Sequence, residues 1–542
     1  MDDLYFVDKS MFIKDIVDGM AVLLYPRPRR FGKSLNLSML KYFYDCREDN
    51  AHLFENLAIS QEKDIMAKQG KYPVIFLTFK DVKEETYEAS MEKIYTIISN
   101  LYKEHGEVLQ SGFSYEIDKI FYEKIISKTA SQSDFAESLK ALSKFLYDHH
   151  KANPVILIDE YDTPIHAGFY HGYYEKMVGF MRGLLGGGLK DNIYLEKGVL
   201  TGILRVSRES IFSDLNNISV YSILSKKSAD KFGFTDGEVQ DMLDYFSSPI
   251  TIDEIKENYD GYNFGGIDIY NPWSILNSID EQSIGYYWGT TSSNNLIRTM
   301  CAEADDSVKQ DLEIIIEGGK IQKYIEEDII FPELKENKNA IWSFFLMCGY
   351  LRYDNYIWGN SIRDTNAELS IPNREILTLF VKRILPNWFK TAQKTDELIN
   401  LSELLVNGDL EVFKREFTDY CLETFSYYDV SGTEPEKFYH GFVLGMLICL
   451  RDKYQIRSNR ESGFGRYDVL LIPNDKKGRG IIFEFKKLDE ARKETFEKAF
   501  SLARRQLAEQ NYDQELKSQG VEDIVSIIAI FKGKEVQLDL NK

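Results

Sequence analysis

The sequence predicts an α/β protein in three parts: an N-terminal parallel sheet with helices on both faces, a mostly helical middle, and a C-terminal α/β domain. Three observations carry this expectation. Short apolar runs recur through the first 200 or so residues, with amphipathic stretches between them; crossover helices bury the strands of a parallel sheet on both faces in this way. From about residue 230 to 420 helical periodicity takes over, broken by polar stretches such as "DGYNFGG" and "TTSSNN". The last part reads helix, three strands, helix, strand. At 542 residues the chain exceeds one ordinary core, and the expected domains are 1–230, 231–415 and 416–542.

Taken in order, "MAVLLYP" (Met20–Pro26) is the first strand, and "KSLNLSMLKYFYD" after it has helical spacing. "YPVIFLTF" (Tyr72–Phe79), "NPVILIDE" (Asn153–Glu160) and "IYLEKGVLTG" (Ile193–Gly202) are the next three strands. Near the C-terminus "EPEKFYHGFVLGMLICLRD" reads as a helix. "YQIRSN", "YDVLLIP" and "GIIFEFKK" read as strands, "DEARKETFEKAFSLARRQLAEQ" as an amphipathic helix, and "DIVSIIAIFKG" as a final strand.

Composition excludes several classes. The longest apolar run, "FVLGMLICL" (Phe442–Leu450), is too short to span a bilayer, and the N-terminal residues lack an export-signal pattern. Five scattered cysteines form no C-x-x-C pair, which fits a reducing cytoplasm and neither a disulfide framework nor a zinc site. The net charge of −20 argues against coating nucleic acid by bulk attraction, not against a local site that meets phosphate through cations. His149 and His150 close a helical stretch and read as a cap or a solvated pair; His440, near Phe438 and Phe442, reads as a packed residue.

"RPRRFGKSL" (Arg27–Leu35) follows the first strand and opens a helix, the context a phosphate-binding loop requires. Lys33 would reach the β- and γ-phosphates of a nucleotide, and the Ser34 hydroxyl would ligate Mg²⁺. The spacing G-x-x-x-x-G-K-[ST] is half met, because Arg27 stands where the first glycine belongs. "VILIDE" supplies the second half: Asp159 would hold the magnesium through water, and Glu160 would orient the attacking water.

These stretches, with "YFVDKSMFIKDI", "ILIDEYDTPI" and "LTGILRVSRESIFSDLNNI", resemble the AAA-ATPase-like family of bacterial and archaeal proteins, which usually reads R-P-R-R-F-G-K here. "YDGYNFG", "YNPWSIL" and "TSSN" resemble its downstream region. The resemblance implies a P-loop NTPase fold and ATP as ligand, with Arg29, Arg30, Phe31, Gly32, Lys33, Ser34 and Leu35 lining the nucleotide. By position it also implies γ-phosphate-sensing roles for Thr201 and Arg205, with Arg205 or Arg208 as candidate arginine fingers.

The second constellation is "GRYDVLLIPNDKKGRGIIFEFKK" (Gly465–Lys487). Side chains alternate across a strand, so Glu484 and Lys486 share a face. If the two flanking strands pair antiparallel, Asp468 lies opposite that end. Crowded carboxylates repel, and a divalent cation resolves the conflict: Asp468 and Glu484 would hold Mg²⁺, with Mn²⁺ as a substitute, and Lys486 would stabilise developing negative charge. The D…E-x-K pattern in this order of elements resembles the PD-(D/E)XK nuclease superfamily, particularly the domains found behind AAA-ATPase-like ones. It implies a restriction-endonuclease-like fold and phosphodiester hydrolysis in nucleic acid, DNA foremost, under nucleotide control. Glu436, Glu461 and Gln506 are further candidates, and Tyr467 replaces the proline of the motif. The rival reading is a nucleotide-switched module that grips nucleic acid or protein with an inactive nuclease domain. Neither reading needs a membrane, and both allow a homo-oligomer.

Overall fold

A computed structural model of the chain describes residues 5–190, 192–206, 218–290, 306–316, 318–329, 331–335, 337–357, 366–380, 395–424, 453–458, 461–462, 465–466, 469–488, 494–510, 513–532 and 535–541, with isolated positions between them. The chain divides into two units: Met1–Ser292 with Ile321–Glu375, and Ser293–Lys320 with Ile376–Lys542.

In the first unit, β1 (Val22–Pro26), β2 (Val74–Thr78), β3 (Val155–Asp159), β4 (Lys197–Gly202) and β5 (Ile218–Val220) form one parallel sheet in the order β2-β3-β4-β1-β5. The four expected strands are all present. The β5 segment "ISV" is too short, at three residues, to be read from sequence. All five residues of β1 and all five of β3 are buried, as strands covered on both faces must be. The helix α1 (Lys33–Tyr44) follows β1; α2 (Tyr87–Glu104) and α3 (Gln132–His150) lie between β2 and β3. Side-chain caps start the latter two. The Thr86 hydroxyl accepts from the Ala89 amide, and Ser131 and Asp134 form a reciprocal capping box. The carboxyl ends of β1, β3 and β4 lie side by side, where the order of a doubly wound sheet reverses and ligands bind.

The middle is mostly helical, as expected, and also carries a small antiparallel sheet of Ile321–Tyr324, Arg352–Ile357 and Asn366–Ser370. A hairpin, Tyr262–Phe264 with Ile267–Ile269, precedes helix α4 (Pro272–Glu281). Asn271 caps α4, its side-chain oxygen accepting from the Trp273 and Ser274 amides at 2.9 and 3.2 Å.

The second unit carries β6 (Tyr454–Ser458), β7 (Val469–Pro473), β8 (Gly480–Lys487), β9 (Ile524–Lys532) and β10 (Glu535–Asn541) in sequential order. Only β8 and β9 pair in parallel; the helix α5 (Phe496–Gln510) lies between them in the chain. The expected antiparallel pairing of β7 and β8 is present, with Val469 opposite Phe483 and Leu471 opposite Ile481. Leu470, Ile472 and Ile482 pack with Leu516 and Val521, while Ala499 and Ala503 of α5 pack on Ile528 and Ile530. β10 adds an antiparallel edge strand that the sequence pattern did not reveal.

Candidate functional site

Local sequence shapes the loop after β1. Gly32 has φ 81° and caps α1 without a side-chain hydrogen bond, so the first amides of the helix face outward. Arg30, at φ 69°, adds a second left-handed residue. Alternating backbone of this kind turns successive N–H groups toward an anion. A Cβ on Gly32 would meet nothing within 4 Å, so glycine is needed there for its conformation and not for room.

Arg27, in place of the first glycine, turns its side chain away from that hollow. It is fully buried. Its guanidinium donates to the carbonyls of Pro26 at 2.8 Å, Tyr221 at 2.6 Å and Ser228 at 3.4 Å, and lies 4.7 Å from the Phe232 ring centroid. Burial lowers its pKa to about 10, still charged at neutral pH.

Five of the expected residues converge at the mouth of the sheet. Ser34 Oγ donates to Asp159 Oδ2 at 2.5 Å, and Thr201 Oγ1 donates to Asp159 Oδ1 at 2.7 Å. Lys33 is 4% exposed. Its ammonium donates to the carbonyls of Arg27 and Pro28, both at 3.1 Å, and pairs with Glu160 Oε1 at 3.2 Å. Glu160 holds φ 52°, a strained conformation for a non-glycine residue that often marks a functional position. A hydroxyl and a carboxylate this close form the oxygen set that suits Mg²⁺. The open backbone at Gly32 and the ammonium beside it suit phosphate.

Residues distant in sequence hold the loop's outer side. The Arg29 carbonyl accepts from Asn271 Nδ2 at 3.3 Å and from Trp288 Nε1 at 3.2 Å. The Arg30 guanidinium stands 4.5 Å from the Trp273 ring centroid. Phe31 is buried against Tyr262 and Phe264, and its carbonyl accepts from the Gly233 amide at 3.1 Å. Leu35 is 62% exposed. Beyond β4, Arg205 Nε pairs with Asp328 at 2.6 Å, whereas Arg208 lies outside the described residues. Buried Asp162 accepts from the amides of Ile203 and Leu204 at 2.8 and 2.9 Å and pairs with His166 at 3.2 Å. Burial alone would raise its pKa; the histidine and the two amides outweigh that and lower it.

In the second unit Glu484 is 4% exposed and Lys486 half-buried. In register they stand beside Ile528 and Ile530 of β9. Lys486 Nζ lies 3.5 Å from Gln506 Oε1 on α5, so the glutamine singled out in the sequence does face the lysine. Glu461 stands on a short strand paired with Gly465–Arg466. Its side chain lies outside the described residues, as do Asp468, Tyr467 and Glu436.

Sequence reasoning missed Arg27 as a buried anchor, Asn271 and Trp288 as partners of the loop, and Asp162 as the brace of the β4 exit. "YNPW" enters the sequence reading only through a family resemblance. Its asparagine-proline pair is a helix-start signal, from which the contact with Arg29 does not follow.

Residues 1–212 match the family described as predicted AAA-ATPase, and residues 434–540 match the PD-(D/E)XK nuclease superfamily. An uncharacterised protein in the vnfD 5′ region of Azotobacter chroococcum mcd 1 is 22% identical over 493 residues, spanning 90% of this chain and 86% of that protein. Among solved structures, the chain is similar to a signal transduction ATPase with numerous domains and a tetratricopeptide repeat sensor from Pyrococcus horikoshii. That likeness has a TM-score of 0.27 at 12% identity and covers 82% of this chain and 54% of that one, about half its length.

Proposed function

The chain carries an AAA-ATPase-like domain and a PD-(D/E)XK nuclease superfamily domain, and from this premise we propose that it binds ATP with Mg²⁺ and cleaves phosphodiester bonds in nucleic acid, DNA foremost, under nucleotide control. The observation that carries the first half is the convergence of Lys33, Ser34, Asp159, Glu160 and Thr201 at the ends of β1, β3 and β4. Lys33 leaves the loop carbonyls to meet the β- and γ-phosphates. Ser34 and Asp159 would hold the cation, with Thr201 fixing the carboxylate by its hydrogen bond to the second oxygen. Glu160, released from Lys33, orients the water that attacks the γ-phosphorus. Bound Mg²⁺ would neutralise phosphate charge.

For the second half, a buried Glu484 beside Lys486 and Gln506 suits a cation and a scissile phosphate. Glu484 and Asp468 would hold Mg²⁺ or Mn²⁺, Lys486 would stabilise charge developing on the phosphate, and Gln506 would orient Lys486. Nucleotide control rests on the joining of the two domains in one chain. The test is binding of fluorescent ATP by wild type and Lys33→Ala, followed by plasmid incubation with Mg²⁺ or Mn²⁺, with and without ATP. Nucleotide bound equally by wild type and Lys33→Ala would overturn the first half. An intact plasmid under every condition would overturn the second.

A further inference from the structure

A second group of reactive side chains lies away from the phosphate loop, where α1, α2 and α3 end. Cys46 comes two residues after α1, and its amide donates to the Tyr72 carbonyl at 3.0 Å. Its Sγ is 3.6 Å from Nδ1 of His150, the last residue of α3. On the other side of that ring, His150 Nε2 is 3.7 Å from Glu107 Oε1. Glu107 Oε1 also lies 3.1 Å from Nδ1 of the buried His105. Sulfur, imidazole and carboxylate thus run in a line, the arrangement in which a base activates a nucleophile and a third group orients the base. His150 closes α3, as expected of a cap, and is tucked between a thiol and a carboxylate rather than solvated. Its hydrogen bond with Cys46, then the nearby Glu107 carboxylate, raise its pKa to about 9, and its place at a helix C-terminus favours the same charge.

The other described cysteines differ. Cys301, Cys348 and Cys421 are buried, and burial raises the pKa of each thiol. Cys46 is half-buried, and its neighbours Asp45 and Arg47 line a cavity of about 380 Å³. A hydroperoxide asks only for a sulfur nucleophile and a proton for the departing oxygen, and both are in place.

We propose that Cys46 is a peroxide-reactive thiol, with His150 as its proton partner and Glu107 as the group that orients His150. The sulfur's proton passes to His150 in the reaction. Cys46 Sγ attacks one peroxide oxygen; the S–O bond forms as the O–O bond breaks. The departing hydroxide takes the proton from His150 and leaves as water. Sulfur is oxidised by two electrons to the sulfenic acid, and the peroxide is reduced.

The test exposes the full chain to hydrogen peroxide with a dimedone trap and follows each cysteine peptide by mass spectrometry. Cys46 is expected to label roughly tenfold faster or more than Cys301, Cys348 and Cys421, in line with general acid–base assistance. His150→Gln and Glu107→Gln are expected to slow Cys46 alone. Labelling of Cys46 no faster than that of the three buried cysteines overturns the proposal, as does an unchanged rate in both folded variants. A variant that fails to fold is recognised by rapid labelling of the buried three, and the wild-type comparison then decides.

Discussion

Ser34 and Asp159 are 125 residues apart in the chain, yet the hydroxyl of one lies 2.5 Å from the carboxylate of the other. The parallel sheet makes this meeting: β1 delivers the loop and β3 the acid to the same edge. If the pair holds magnesium, Ser34→Ala and Asp159→Asn each weaken nucleotide binding in Mg²⁺ by about tenfold, the worth of one good polar contact, and leave binding in EDTA unchanged. Titration of fluorescent ATP in the two buffers reads this. An equal loss in both would mean that the pair only supports the fold.

Glu160 has two properties that separate its roles. Its carboxylate holds Lys33 at 3.2 Å, and its backbone stands at φ 52°. Glu160→Gln should keep nucleotide binding and lower turnover by roughly 10²-fold or more. Glu160→Gly should lose turnover as well without losing melting temperature, because glycine adopts that backbone without strain. Phosphate release and thermal melting of the two variants check both halves.

Much of this arrangement was legible in the sequence because it is local. Apolar runs marked β1 to β4, and the acids after "VILI" stood at a strand end by position. The unread part is long-range. Arg27 sits in a glycine's place because its side chain finds the carbonyls of Tyr221 and Ser228 and the ring of Phe232, 194 residues and more away. The Arg29 carbonyl finds Asn271 and Trp288 at separations of 242 and 259 residues. No local periodicity encodes such partners. Asp468 was legible as a candidate and lies outside the described residues.

Arg27 yields a prediction against the motif. Arg27→Gly would complete the glycine spacing, yet it deletes a buried cation, its carbonyl bonds and its ring contact. A loss of about 3 kcal/mol of stability follows, the usual scale for emptying a well-packed polar site. Denaturant unfolding checks it; a variant as stable as wild type, with tighter ATP binding, would contradict the anchoring role.

His150 sets a pH dependence. Cys46 and Glu107 raise its pKa to about 9, against burial, with His105 and His149 as the other neighbouring titratable groups. A base whose folded value lies above the unfolded value of about 6.5 contributes stability that is full below 6.5 and lost as pH rises through about 9. The melting-temperature advantage of wild type over His150→Gln should therefore be largest near pH 6 and gone by about pH 10. An advantage that grows with pH would reverse the assignment.

The last prediction concerns Glu484 and Lys486, which share a face of β8 while Gln506 approaches the lysine from α5. A same-strand ion pair and a cation site both accommodate that geometry, and they part under substitution. A lysine that serves only to pair with the buried Glu484 would show its loss as lowered stability, because Lys486→Ala leaves a buried carboxylate uncompensated. A lysine that stabilises charge on a reacting phosphate is worth roughly 10²-fold or more in rate. Lys486→Ala and Glu484→Ala should therefore abolish plasmid cleavage in Mg²⁺ or Mn²⁺ and leave ATP binding intact. Gln506→Ala should slow cleavage less than Lys486→Ala, because it acts through the lysine. Cleavage that survives both Lys486→Ala and Glu484→Ala would place the nuclease chemistry elsewhere. DNA held but never cut by wild type would leave the second unit a gripping module whose acid and lysine serve the sheet alone.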